Sequence, residues 1–378
     1  MKSPTPIAPS LQETIQTISH EFAIAGDFVE GYEIHSGHIN STYIATYRRE
    51  DGEIRRYILQ RINEHVFTEP LVVIKNVECV TRHINWKVLR VKRDLGGQTL
   101  NMFPARGGRF YAEGPNGGIW RCYNFIEGCH TYDIVENTRQ AYQAARAFGS
   151  FQDLVSDIDI EEIRETIPDF HNTPKRLKRL LEVIAEDPLG RVKNVEAEIQ
   201  FVNEREGLCH SLVQLMQSGV LPTRITHNDT KLNNVMMDSE TDEAVCVIDL
   251  DTVMPGLSAY DFGDLVRTAT SSAAEDEIDL SKVDMRMPMF EALAEGYLDG
   301  CDCLNAAEVD NLVVGGKVIT LETGIRFLTD YLEGDQYFKT SRDGQNLDRC
   351  RTQFALVSKI EENEDAMNDF LQRISKIK

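Results

Sequence analysis

No apolar run in the 378-residue chain approaches the ~18 residues that a membrane span requires, so no membrane partner is expected. Basic residues are scarce: 40 Lys and Arg face 61 Asp and Glu, a net charge of -21. Nucleic-acid recognition is built on Lys and Arg, so a nucleic-acid partner is not expected either. Zinc-site cysteine spacing is also missing. The 8 cysteines are scattered, and the close pair Cys301-Asp302-Cys303 has no second pair to complete a site, which reads as reduced cytosolic thiols. Met1-Lys2-Ser3-Pro4 lacks the basic and apolar regions of a secretory signal and reads as a short tail, so a cytoplasmic location is expected. Repeats and low-complexity linkers are absent. What remains is a globular chain, 42% hydrophobic and 27% charged, too long for one compact core. Two lobes sharing a ligand-binding cleft are expected.

The pattern divides near Gly128. Before it, an amphipathic helix over 10–22 with Ser10 as N-cap precedes strand-like stretches at Val29–Glu33, Thr42–Tyr47 and Arg56–Ile62. A helix over Pro70–Leu89 follows, then a hairpin of Phe110–Ala112 and Ile119–Ile126 around Pro115-Asn116-Gly117-Gly118. After it the periodicity is mainly helical: Arg139–Leu154, a helix with Thr173 as N-cap and Pro174 at its first position, one helix over Ala197–Gln217, and a stretch from Pro288 closing with Asn346–Ile377. The fold class expected is α+β. A small antiparallel lobe over 1–122 is joined by a hinge at 123–128 to a helical lobe over 129–378.

The segment Thr226-His227-Asn228-Asp229-Thr230-Lys231-Leu232-Asn233-Asn234 carries the chemistry. Phosphoryl transfer needs a carboxylate to take the proton of the attacking hydroxyl, and oxygen ligands for Mg²⁺ on the β- and γ-phosphates. Asp229, with Asn234 five residues later, supplies both in one loop, and Lys231 stands where a cation reaches the transferring phosphoryl. A bare His-x-Asp also fits a turn stabilised by the Asp side chain. The sequel favours the kinase reading: the polar turn 239–242 and the apolar strand 244–248 end in Asp249-Leu250-Asp251, which places a carboxylate for Mg²⁺. Asp249 is the expected ligand, with Asp251 left open. Asp261-Phe262-Gly263 spells the metal tripeptide of protein kinases but comes too late in the chain, so Asp261 is read as structural, accepting backbone N–H groups of the catalytic loop.

Between the first two strands, the loop Ser36-Gly37-His38-Ile39-Asn40 occupies the place of a phosphate-covering loop, with one glycine where kinases have three. Gly37 and Asn40 are the candidate nucleotide contacts there, and His38 reaches either solvent or the cleft. The third strand offers Gln60 where a phosphate-pairing cation is expected, so either Gln60 donates neutral hydrogen bonds or Arg61 or another cation substitutes. Glu78 is its candidate helix partner or a solvated residue. Tyr123 and Phe125 in the hinge complete the nucleotide set.

These motifs together resemble the aminoglycoside phosphotransferase and choline kinase superfamily, with its two-lobed protein-kinase-like fold. Within it, Gly37–Asn40, Tyr57–Gln60, Phe170–Pro174, Thr226–Asn234, Ile248–Thr252, Phe262–Asp264 and Arg326–Tyr337 resemble the bacterial N-acetylhexosamine 1-kinases. The resemblance implies transfer from ATP, with Mg²⁺, to the anomeric hydroxyl of GlcNAc or GalNAc. It implies Asp229 as base, Asn234 and Asp249 as Mg²⁺ ligands, and His38, Arg326 and Tyr337 on the sugar. A helix carrying an Arg326–Asp330 pair at i,i+4 is the plain alternative at that segment. Homoserine or choline as acceptor, or a nucleotide-binding pseudokinase regulator, are the competing functions. The C-terminal helix either packs on its lobe or makes a homodimer.

Overall fold

The computed structural model describes residues 11–34, 39–91, 99–115 and 117–375. Two compact units divide the chain, Met1–Cys129 with Glu161–Ile167, and His130–Ile160 with Pro168–Lys378. The first holds α1 (Leu11–His20), β1 (Asp27–Ile34), β2 (Ser41–Arg48), β3 (Ile54–Arg61), α2 (Pro70–Val91), β4 (Met102–Phe103), β5 (Ala112–Glu113), β6 (Ile119–Asn124) and the start of β7 (Cys129–His130). Its sheet is antiparallel in the order β1-β2-β3-β6-β4, with β5 also on β6. Ile15, Ile18, Phe22, Tyr47, Leu59 and Trp120 are buried between α1 and the sheet. Burying each large apolar side chain contributes about 1.5–3 kcal/mol. Asn76 of α2 pairs with the backbone of Arg164, its Nδ2 donating to the carbonyl at 2.7 Å, which ties 161–167 to this unit.

The second unit holds α3 (Thr138–Val155), α4 (Thr173–Glu186), α5 (Glu196–Asn203), α6 (Glu206–Gln217), β8 (Arg224–Thr226), β9 (Val235–Asp238), β10 (Ala244–Val247), β11 (Met254–Gly256), α7 (Ser258–Thr270), α8 (Met287–Gly300), α9 (Ala306–Asp310), α10 (Leu312–Glu333) and α11 (Gln345–Ser375). Phe148, Phe262, Phe290 and Tyr297 form the centre of its core. Two small sheets, the antiparallel pair β8 with β11 and a three-stranded sheet in the order β10-β9-β7, carry the loops of interest. Among the described residues no helix is long and apolar enough to cross a membrane.

Two local expectations are corrected. The α4 N-cap is Asn172, whose side chain accepts from the N–H of Lys175, while the hydroxyl of Thr173 donates to Glu322 at 2.6 Å and is taken up by tertiary structure. The segment 197–217 is two helices, broken at Glu204 and Arg205. Arg205 forks onto Glu361 at 3.0 and 2.8 Å and lies over the Phe201 ring, so long-range anchoring overrides a continuous helical pattern. Ser10 lies outside the described residues.

Candidate active site

The catalytic-loop segment starts where β8 ends, and β11 pairs with that strand at Thr226 and Met254. The next two residues are fixed by a single buried carboxylate. Asp261 on α7 accepts the His227 N–H at 2.8 Å and the Asn228 N–H at 2.7 Å, the structural role expected for it. Burial pushes its carboxyl up to about 7, against the opposing pull of the two backbone donors. Asn228 has left-handed backbone (φ 63°), and its amide donates to the carbonyls of Thr226 and Thr252. Such a conformation persists only where its surroundings over-determine it. The buried His227 ring packs edge-on against Phe148 and Phe151, and desolvation lowers its pKa, favouring the neutral form. Its Nε2 lies 3.0 Å from the Ile248 carbonyl and therefore carries the proton. Nδ1 is then free to accept the Asp229 N–H at 3.3 Å.

This framework aims Asp229 outward. Its side chain is 25% exposed, with Lys231 Nζ at 3.0 Å and Asn234 Nδ2 at 3.1 Å from Oδ2. Burial alone would raise its pKa, but Lys231, His227 and Asn234 together hold it below the ordinary aspartate value. The Lys231 ammonium, penalised by burial, is raised on balance by Asp229 and further by Asp249 and Asp264. The result is an ionised carboxylate beside a fixed cation, chemically able to orient a hydroxyl and receive its proton.

Asn234 and Asp249 leave neighbouring points of the backbone, because the Ile248 N–H donates to the Asn234 carbonyl at 2.9 Å. The Asn234 amide nitrogen is committed to Asp229, donating to its carbonyl at 2.8 Å, which turns Oδ1 to the opposite side. Asp249 is exposed and in left-handed backbone (φ 60°) at the end of β10, whereas Asp251 is 2% exposed. An amide oxygen and an accessible carboxylate form an oxygen donor set that fits a hard divalent cation such as Mg²⁺.

On the other side of the loop, His171 bridges to α10, with Nε2 3.2 Å from the Asn228 carbonyl and Nδ1 2.9 Å from Glu322. One turn along α10, the Arg326 guanidinium lies 5.5–5.8 Å from the ring centres of Phe170, Tyr337 and Phe338. The Arg326–Asp330 pair is not formed. The Asp330 carboxylate instead accepts the N–H groups of Gln336, Tyr337 and Phe338 and the Asn346 amide, so it shapes the turn that presents the 66%-exposed Tyr337. Among the described residues no carboxylate pairs with Arg326.

The candidate nucleotide residues lie in the first unit. Asn40 Oδ1 accepts the Asn63 N–H, Phe125 lies under the Arg56 guanidinium, and Tyr123 is buried on β6. Gly37 and His38 lie outside the described residues. Gln60 does not stand alone: Arg121, opposite it on β6 and 1% exposed, donates from Nε and Nη2 to Gln60 Oε1 at 3.1 and 2.8 Å, and Gln60 Nε2 donates to Thr42. Arg61 is exposed, and Glu78 pairs with Arg82 on its own helix. The buried cation beside Gln60 is therefore Arg121. Sequence reading missed it, because only strand register brings positions 60 and 121 together. It also assigned no role to His171 and Glu322, which are 151 residues apart.

Residues 33–295 match the family model described as Phosphotransferase enzyme family. Among solved structures, an aminoglycoside phosphotransferase from Alicyclobacillus acidocaldarius aligns over 98% of both chains (TM-score 0.62, 12% identity). Choline kinase from Cryptosporidium parvum aligns over 95% of this chain and 99% of its own (TM-score 0.56, 13% identity). The amicoumacin kinase hAmiN, in complex with AMP-PNP, Ca²⁺ and Ami, aligns over 93% of this chain and 94% of its own (TM-score 0.57, 15% identity). At these identities the likeness establishes the fold, an antiparallel sheet unit and a helical unit of protein-kinase-like type.

Proposed function

The chain belongs to the Phosphotransferase enzyme family, and from that premise we propose that it is a small-molecule kinase transferring the γ-phosphoryl of ATP to the anomeric hydroxyl of GlcNAc or GalNAc. The observation that carries the kinase reading is the partly exposed, ionised Asp229 held between Lys231 and Asn234. Asp229 orients the sugar hydroxyl and takes its proton, while Lys231 faces the charge that builds on the transferring phosphoryl. Asn234 and Asp249 would hold Mg²⁺, which when bound neutralises charge on the β- and γ-phosphates. A pseudokinase has no need of the base, so the intact Asp229, Asn234 and Asp249 support catalysis over regulation alone.

Arg326 supports a neutral, hydroxyl-rich acceptor. Choline recognition wants aromatic faces open to a quaternary ammonium. Here the rings of Phe170, Tyr337 and Phe338 already surround a guanidinium, which repels a cationic substrate and offers donors to sugar oxygens. Arg326→Ala is expected to raise the sugar KM at least about tenfold with the ATP KM unchanged. Release of ADP with GlcNAc, GalNAc, glucosamine, choline or homoserine tests the assignment: turnover restricted to the acetylated sugars is expected, and turnover with choline or homoserine alone overturns it. Glucosamine is expected to be poor, since a site that hydrogen-bonds an acetamide is left unpaired without it.

In the first unit, Arg121 supplies the cation that Gln60 lacks for the nucleotide phosphates. Arg121→Ala is expected to raise the ATP KM and leave the sugar KM unchanged, with Arg121→Lys recovering part of the loss. An unchanged ATP KM in the alanine variant makes Arg121 a purely structural partner of Gln60.

A further inference from the structure

Far along the chain from the catalytic loop, three metal-ligating side chains converge. Asp153 near the end of α3, Cys301 at the C-terminal cap of α8 and Cys303 two residues on place a carboxylate oxygen and two sulfurs within 4.8 Å of one another. The approach is built into the helix packing. A Cβ at Gly149 would sit 2.3 Å from the Tyr297 carbonyl oxygen, and one at Gly300 would sit 2.3 Å from that of Arg146. Only glycine at these points lets the backbones of α3 and α8 touch, and that contact carries Asp153 to the turn holding both cysteines. The turn is itself fixed. Arg224 donates to the Cys303 carbonyl at 2.7 Å while paired with Glu308, and the Asp302 N–H donates to Asp153 at 3.3 Å.

We propose that Asp153, Cys301 and Cys303 form a binding site for a thiophilic divalent cation of the zinc class, separate from the hard-cation residues Asn234 and Asp249. The sulfurs stand 3.3 Å apart. Zinc–sulfur bonds of about 2.3 Å at a tetrahedral angle place two sulfurs roughly 3.8 Å apart, so a rotation of either thiol by a few tenths of an ångström reaches ligand geometry. A carboxylate oxygen at about 2.0–2.2 Å from the metal completes the third position. The Gln152 carbonyl, 3.8 Å from Cys303 Sγ, or water is placed for the fourth. Two thiolates and one carboxylate make a soft donor set that favours zinc over Mg²⁺. Cys301 is 4% exposed, while Cys303 and Asp153 are half-buried, so the cluster is sheltered but reachable. The site borders β8: the Gln152 side chain donates to the Ile225 carbonyl, and Arg224 lies in that strand, so bound metal stiffens the strand that leads into the catalytic loop.

Alkylation of the full, reduced chain, followed cysteine by cysteine by mass spectrometry, tests the site without any variant. Zinc is expected to slow modification of Cys301 and Cys303 markedly, since a metal-bound thiolate is no longer a free nucleophile, to leave the half-buried Cys79, Cys129 and Cys246 unchanged, and to be ineffective when replaced by Mg²⁺. Cobalt in its place is expected to give the visible bands of a four-coordinate, thiolate-ligated ion. Asp153→Asn is expected to weaken zinc binding at least about tenfold. Equal alkylation rates with and without zinc overturn the site, as does a Cys301–Cys303 disulfide whose reduced form ignores zinc. Unchanged zinc affinity in Asp153→Asn rejects the three-ligand site.

Discussion

Asp229→Asn lowers kcat by about 10²–10⁴-fold, the usual range for loss of a general base, and leaves ATP affinity near the wild-type value. The amide keeps the shape and the contact with Lys231 but cannot take a proton. The framework that positions residue 229 does not depend on its carboxylate: His227 and Asn228 are held by Asp261, and the residue 229 N–H by His227 Nδ1. The loss therefore falls on the chemical step, read as equal drops in kcat and kcat/KM. A variant keeping more than about a tenth of wild-type kcat, a barrier change of only ~1.4 kcal/mol, removes Asp229 from the role of base.

Asp261→Ala destabilises the fold by several kcal/mol, because two buried N–H groups lose their acceptor at about 1–3 kcal/mol each. This loss also depends on pH. With its folded carboxyl pushed up to about 7 by burial, Asp261 binds a proton in the folded protein that the unfolded chain releases near the ordinary aspartate value. Its contribution is thus full below about 4 and declines as pH rises towards 7. The gap in melting temperature between wild type and Asp261→Ala is expected to widen on acidification from about pH 8 to about pH 5. Asp249→Ala behaves oppositely. Its exposed carboxylate contributes little to the fold, so the melting temperature holds while calorimetry shows Mg²⁺-dependent ATP binding lost. Destabilisation by Asp249→Ala together with metal loss in Asp261→Ala means the two aspartates have been assigned the wrong way round.

The features legible in the sequence were those encoded locally. The spacing of Asp229 and Asn234, the apolar strand ending at Asp249 and the late position of Asp261-Phe262-Gly263 all lie within one stretch, and the structure brings them to one loop region. The strands at β1 to β3 were equally plain from alternation and turns. What escaped depends on partners distant in the chain. Arg121 meets Gln60 only through strand register, and Thr173 was read as a cap because nothing nearby shows that Glu322 takes its hydroxyl. The Arg326–Asp330 helix pair, the plain alternative at that segment, fails because the Asp330 carboxylate satisfies a turn that begins beyond the helix end. Asp153 comes to lie beside Cys301 and Cys303 from another helix, which sequence spacing does not show.

The central claim is tested most directly by a phosphorus spectrum of the reaction of the wild-type protein with GlcNAc, ATP and Mg²⁺. The account predicts a GlcNAc 1-phosphate resonance rising with ADP, and its absence with Asp229→Asn. A 6-phosphate, or no phosphorylated sugar while ATP is consumed on another acceptor, contradicts the anomeric kinase assignment.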